Sequence, residues 1–312
     1  MPDVKAVVRV AKAAPPNPHK KLILYGSSKS VKTPLALAYG AYLRTLNPNS
    51  RTLYWAADEG SDGLPSLPNE SWREWIDVVT TSTPLDEGYD PYRDAITVTM
   101  TDWKKQDPNY DLLIWDTQAR TLQRVLAFIA NKAYFQSGKT GDKHITIGDG
   151  DPAKAGSTAM NLPMQADYGA IVGIGLRLME CLAAQKMHVL IVTHEEEIKG
   201  KDGVRRIGPA AVGKALVEDI PAFLTGVLYT EKRLEADPKD GKLVPTLNVF
   251  SDTGDDIHVA GVRHTPINGD PRNPMTKVKV GMDLVAYWKK FHTTLYPNEV
   301  FAQAGPAMKE IA

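Results

Sequence analysis

From Leu22 onward the chain sets short apolar runs between longer helical stretches. The runs are Leu22-Ile23-Leu24-Tyr25, Thr52-Leu53-Tyr54-Trp55-Ala56-Ala57, Asp111-Leu112-Leu113-Ile114-Trp115 and His188-Val189-Leu190-Ile191-Val192. Successive apolar positions mean that both faces of each strand must be covered, which is the mark of a parallel sheet between helical layers. Helices are predicted over Pro34 to Thr45, Tyr92 to Lys105, Thr121 to Phe135 and Met164 to Gln185, long enough for right-handed crossovers. After Thr193 the texture shifts. The turn sequences Gly200-Lys201-Asp202-Gly203 and Pro238-Lys239-Asp240-Gly241 flank β-rich segments from Gly226 to Leu234 and Val244 to Phe250, which predict antiparallel strands extending the same sheet.

The predicted class is therefore α/β, a mostly parallel sheet flanked by helices with a C-terminal antiparallel extension. Residues 1–20, with Ala-Ala-Pro-Pro-Asn-Pro, read as an arm, 21–265 as the core, and 266–312 as a tail with a helix. Ser137 to Leu162, rich in Gly, Lys, Asp and Ser, is too long for a silent connector and reads as a mobile functional loop or as an insertion with no role.

Composition narrows the function. With 43% hydrophobic residues, 312 residues can bury one large core. Lys plus Arg and Asp plus Glu each total 37, so any polyanion site must be a local patch. A single cysteine, Cys181, excludes an internal disulfide and a thiolate metal cluster and reads as a helix core residue. The N-terminus lacks a signal-peptide pattern and no apolar run approaches the roughly 18 residues of a membrane span, so a cytoplasmic protein with no membrane partner is expected. Trp72, Trp75 and Trp288 read as core or subunit-contact residues.

The candidate chemistry begins at the end of the first strand. Gly26-Ser27-Ser28-Lys29-Ser30-Val31-Lys32-Thr33 follows an apolar run and precedes a helix, the setting that the phosphate-binding motif GxxxxGK[ST] needs. Backbone N–H groups of such a loop and the positive end of the next helix hold phosphates, Lys32 would reach the terminal phosphates, and Thr33 a magnesium ion. Pro34 suits the first helical turn, where its missing N–H has no partner anyway. Val31 stands where the motif has its second glycine, a position expected to need a positive φ. A branched Cβ makes that conformation costly, on the order of 1–3 kcal/mol, so the loop is expected to be strained or reshaped, or to bind nucleotide weakly.

Downstream, Asp116 ends an apolar strand and is the expected magnesium partner of Thr33. Glu59, at the end of Trp55-Ala56-Ala57-Asp58-Glu59-Gly60, is the candidate for orienting an attacking water, with Asp58 as the alternative. Thr193-His194-Glu195 closes the fourth run and should place one polar group near the phosphates, His194 being the choice. No other histidine has metal-ligand spacing.

With these residues in place the chain resembles the RecA-like superfamily, and more closely the phage-encoded RecA-like ATPases of recombination and single-strand annealing. The resemblance rests on Tyr25-Gly26 with Lys32-Thr33, Ala57-Asp58-Glu59-Gly60, Leu113-Ile114-Trp115-Asp116-Thr117, Gln165-Ala166-Asp167-Tyr168-Gly169 and Val192-Thr193-His194-Glu195-Glu196, in that order between Leu22 and Thr265. It implies that Glu59 orients water, that Asp116 is magnesium-linked, and that ATP sits at a subunit boundary of a homo-oligomeric ring or filament. It also implies a basic residue from the next subunit, for which Arg263 is the candidate, with Lys232 and Arg233 behind it.

Two functions remain open on the sequence. One is an ATPase acting on single-stranded DNA, with Lys139, Lys143 and Lys154 of the 137–162 loop on the phosphate backbone and Asp142, Asp149 and Asp151 opposing them. The other is a nucleotide-dependent assembly or regulatory protein with little hydrolysis and no DNA binding. A small-molecule kinase ranks last, for want of a lid with clustered arginines.

Overall fold

The structure is a computed structural model and describes residues 19–28, 30–57, 70–81, 88–132, 144–154, 157–199, 205–212, 214–236, 241–250, 261–262, 278–279 and 283–296. In chain order the strands are β1 (Lys21–Gly26), β2 (Thr52–Ala56), β3 (Ile76–Thr80), β4 (Leu112–Asp116), β5 (Thr146–Ile147), β6 (Met160–Asn161), β7 (His188–Val192), β8 (Glu195–Lys199), β9 (Arg205–Pro209), β10 (Gly226–Ala236), β11 (Leu243–Phe250), β12 (Gly261–Val262) and β13 (Val278–Lys279). The helices are α1 (Lys32–Leu46), α2 (Pro91–Met100), α3 (Gln118–Lys132), α4 (Gln165–Ala184), α5 (Lys214–Asp219) and α6 (Leu284–Leu295).

One 9-stranded sheet runs β13-β11-β10-β1-β7-β4-β2-β3, with β12 also on β10. The ladders from β10 through β3 are all parallel. Alternate side chains of the apolar runs serve opposite layers. Ile23, Tyr25, Leu53, Trp55, Leu113, Trp115, Val189 and Ile191 pack on the side of α2, α3 and α4. Leu22, Leu24, Tyr54, Leu112, Ile114, Leu190 and Val192 pack with α1 and α6. This two-sided burial is why the runs carry no polar alternation. The α/β class, a mostly parallel sheet flanked by helices with an antiparallel extension, is as expected, and the order β10-β1-β7-β4-β2 sets β7 between the strand that enters the Gly26–Thr33 loop and the strand that ends in Asp116.

Several details depart from the sequence reading. β10 is a parallel neighbour of β1, and it is β11 that runs antiparallel to β10. The reason is the crossover through α5, which returns the chain to the sheet in the original direction. β10 also does two jobs: Gly226 to Thr230 is buried, whereas the half beyond Thr230 is mostly exposed and pairs with β11. β3 escaped prediction because its edge position leaves Val78 exposed and places Asp77 in an ion pair with Arg51 at 2.7 Å. α2 stops at Met100, short of Lys105. There Thr99 and Thr101 turn their hydroxyls back on Ala95 O and Thr97 O, and the Trp103 indole N–H donates to Val98 O at 2.7 Å.

The helix α6 packs against α1, with Trp288 fully buried and its indole N–H donating to Leu35 O at 2.8 Å. Beneath it lies a buried polar chain. The backbone N–H of Lys20 donates to His188 Nδ1 at 3.1 Å, so that nitrogen is an acceptor and the Tyr39 hydroxyl, 2.9 Å away, also donates to it. His292 Nε2 then donates to the Tyr39 oxygen at 3.1 Å. Burial pushes His292 down to about 3 and His19, beside Lys21, down to about 4, and holds His188 well below the usual imidazole range. These groups bind protons in the unfolded chain before they do in the folded one. Stability is therefore full above the ordinary histidine pKa of about 6.5 and falls as pH drops toward 4. Thermal unfolding between pH 7 and 4 should show this decline, and His292→Gln, which can still donate to Tyr39 but does not titrate, should flatten it. An equal slope in the variant would remove His292 from the account.

Candidate functional site

The site is built at the carboxyl ends of β1, β4 and β7. Gly26 ends β1 with φ 154, and a Cβ there would lie 2.0 Å from Thr230 O on β10, so no other residue fits without moving a strand. The loop then turns through Ser27, Ser28 and Ser30, with Ser30 N donating to Ser27 O at 3.3 Å, while Lys29 lies outside the described residues. Val31 caps α1 in the left-handed region, at φ 62 and ψ 23, and is the one non-glycine residue at positive φ among those described. The loop thus keeps the conformation that the motif's glycine would adopt, with valine in its place, and accepts the associated strain of about 1–3 kcal/mol.

Lys32 turns back into the loop. Its ammonium donates to Gly26 O at 3.0 Å, Ser27 O at 2.6 Å and Ser30 Oγ at 3.2 Å, which uses all its protons. Burial lowers its pKa, and the charges of Asp116 and then Glu195 push it back up. Thr33 Oγ1 donates to Asp116 Oδ2 at 2.5 Å, and the Tyr54 hydroxyl donates to the same oxygen at 3.0 Å. Asp116 is buried, with two hydroxyl donors on one carboxylate oxygen and the Lys32 charge near enough to interact with it. Just past it, Thr117 Oγ1 and both amide atoms of Gln118 are buried without hydrogen-bond partners.

The structure therefore brings Gly26, Ser27, Ser30, Val31, Lys32, Thr33 and Asp116 together. Ser28 lies exposed on the outer side of the loop. His194 is also exposed, just past β7, and its carbonyl accepts from Ala210 N at 2.7 Å; of the Thr193-His194-Glu195 trio, it is Glu195 whose charge reaches Lys32. Glu59, Asp58 and Arg263 lie outside the described residues. Lys232 and Arg233 are exposed on β10, with Arg233 paired to Glu231 at 2.6 Å. Of the 137–162 stretch, the described part forms the β5–β6 hairpin. It is tied down by Asn161 Nδ2 donating to Ala130 O at 2.9 Å and by His144 bonded to Asp167 at 2.8 Å. Lys154, Asp149 and Asp151 are on it, with Lys154 exposed; Lys139, Asp142 and Lys143 are outside the described residues.

No protein-family model matches the chain, and no curated protein matches it. Among solved structures, it is similar to a KaiC-like protein of the hyperthermophilic archaeon Pyrococcus horikoshii, with TM-score 0.40 and 11% identity over 74% of this chain and 77% of that one.

Tyr54, Thr230 and Gln118 were not legible as site residues beforehand, whereas Glu195 belongs to the trio from which His194 was the choice. Tyr54 sits in an apolar run and reads as core. Its hydroxyl reaches Asp116 because β2 lies beside β4, with Ala56 opposite Asp116 in the register. Thr230 is the polar end of Gly-Val-Leu-Tyr-Thr, a signal that gains meaning only once β10 is known to lie opposite Gly26.

The oxygens of Thr33 and Asp116 form the hard donor set that magnesium prefers. Thr33 would hold the ion by its hydroxyl and Asp116 through water. Bound there, magnesium would supply positive charge to the oxygens of a phosphate chain. Among the described residues no helix is long and apolar enough to cross a membrane.

Proposed function

We propose that the chain binds ATP with magnesium at the Gly26–Thr33 loop and hydrolyses it while acting on single-stranded DNA, in phage-type recombination or annealing. The observation that carries the nucleotide reading is the contact of Thr33 with Asp116 at 2.5 Å, beside Lys32 folded into the loop. Loop amides and the N-terminus of α1 would receive the phosphates, and Lys32 would exchange loop oxygens for phosphate oxygens. Glu59 would orient a water for in-line attack on the γ-phosphorus, breaking its bond to the β–γ bridging oxygen and releasing ADP and phosphate. Arg263 of a neighbouring copy would complete the site in a ring or filament. Lys154 and the outward Ile145, Ile147 and Met160 of the β5–β6 hairpin offer an exposed surface for a flexible strand.

A second reading, a nucleotide-dependent assembly protein with slow or absent hydrolysis, is favoured by the left-handed Val31. ATP turnover measured with and without single-stranded DNA, at low and high salt, separates the two. DNA-stimulated turnover that fades with salt is the expected result. Turnover indifferent to DNA, together with oligomer size that follows nucleotide, would replace the first reading with the second.

A further inference from the structure

Thr230 is linked to the residues on either side of Val31. The Thr230 side chain is fully buried on β10, and its hydroxyl donates to Tyr25 O at 3.0 Å. Its only proton is then spent, so the Ser30 hydroxyl, 3.0 Å away, must be the donor to Thr230 Oγ1. Ser30 Oγ in turn accepts from the Lys32 ammonium at 3.2 Å. The result is a one-directional chain: Lys32 to Ser30, Ser30 to Thr230, Thr230 to the carbonyl of Tyr25. It starts one residue after Val31, passes through the residue just before it, and ends on the β1 backbone.

The same residue holds the loop's other end. Thr230 is the register partner of Gly26, and its carbonyl occupies the space where a Gly26 side chain would stand. The Gly26 and Ser30 ends of the turn are thus both fastened to one residue of a neighbouring strand. A left-handed valine persists only where its surroundings over-determine the backbone, and this is the one position among the described residues with that strain. A glycine there would need no such clamp.

We infer that Thr230, acting through Ser30, is a positioning residue that holds the valine-containing phosphate loop in its nucleotide-binding conformation and so offsets the missing glycine. The inference rests on the nucleotide reading of the Gly26–Thr33 loop. Thr230 touches no phosphate in this account; its effect passes through the Ser30 hydroxyl to the backbone on either side of Val31.

The test is a double-mutant cycle on the full chain, read as the Kd of a fluorescent ATP analogue with magnesium. Thr230→Val, which keeps the shape and removes the hydroxyl, should weaken binding about tenfold or more in the native background, where the Ser30 hydroxyl and Tyr25 carbonyl lose a buried partner. In a Val31→Gly background the same change should cost about threefold or less, because the loop no longer stores the strain. Thr230→Ser should restore native binding, and Ser30→Ala combined with Thr230→Val should be no worse than Thr230→Val alone. Thermal unfolding of each variant confirms that the loss is not general unfolding, which would affect both backgrounds equally. Native affinity in Thr230→Val, or the same fold-loss in both backgrounds, would overturn the inference. If the native chain binds no better than Lys32→Ala, it is the nucleotide reading that fails.

Discussion

Gly26→Ala is expected to destabilise the protein by about 3 kcal/mol or more and to remove nucleotide binding, although it adds a single methyl group. The added Cβ would stand 2.0 Å from Thr230 O and 2.6 Å from Thr230 Oγ1, and a backbone carbonyl in a parallel ladder cannot step aside without breaking the β1–β10 pairing. Relief would come by lifting the start of the phosphate loop off β10, which also detaches Ser30 and moves Lys32. Denaturant unfolding and nucleotide affinity measured on the same variant should therefore fall together. Gly173→Ala supplies the contrast. It lies within α4 with nothing near its added methyl, so it should raise stability by up to about 1 kcal/mol and leave nucleotide affinity alone. Intact binding in Gly26→Ala would show that the loop does not depend on its seat against β10.

Asp116→Asn should reduce ATP hydrolysis by about 100-fold or more while leaving the fold within about 1 kcal/mol of native. The amide oxygen can still accept from Thr33 and Tyr54, which donate to one carboxylate oxygen at 2.5 and 3.0 Å, so the buried hydroxyls keep a partner. What is lost is the negative charge. That charge opposes the burial penalty on Lys32 and would hold magnesium water. Nucleotide binding should accordingly lose its dependence on magnesium before it loses affinity altogether. Phosphate release with and without magnesium checks this, and unchanged turnover would take Asp116 out of the chemistry.

The parts of the fold legible in the sequence were those where burial leaves little choice. Leu22 to Tyr25 and His188 to Val192 are covered on both sides by helices, and continuous apolar runs are the direct trace of that covering. Val31 was legible too. The motif assigns its position a positive φ and the structure has φ 62 there. Pairing between strands was less accessible. Nothing in Gly226 to Ala236 tells that its first half continues the parallel sheet and its second half does not, since that depends on where the crossover through α5 returns the chain. β8 escaped prediction because Glu195-Glu196-Glu197 shows no apolar alternation, and its pairing is with β9, outside the main sheet. Tyr54 and Thr230 act across ladders, and a residue whose role is fixed by register cannot be found from its own segment. Glu59 and Arg263 lie outside the described residues, so the first rests on its place after the second apolar run and the second on the family resemblance.

The central claim, that the Gly26–Thr33 loop and Asp116 form a nucleotide site, is tested most directly by calorimetric titration of the native chain and Lys32→Ala with ATP and magnesium. Saturable binding of one ATP per chain is expected of the native protein, with a loss of about 100-fold or more in Lys32→Ala, whose fold should be kept because the loop oxygens it served can turn to water. Equal binding by the two proteins, or none by the native chain, would contradict it.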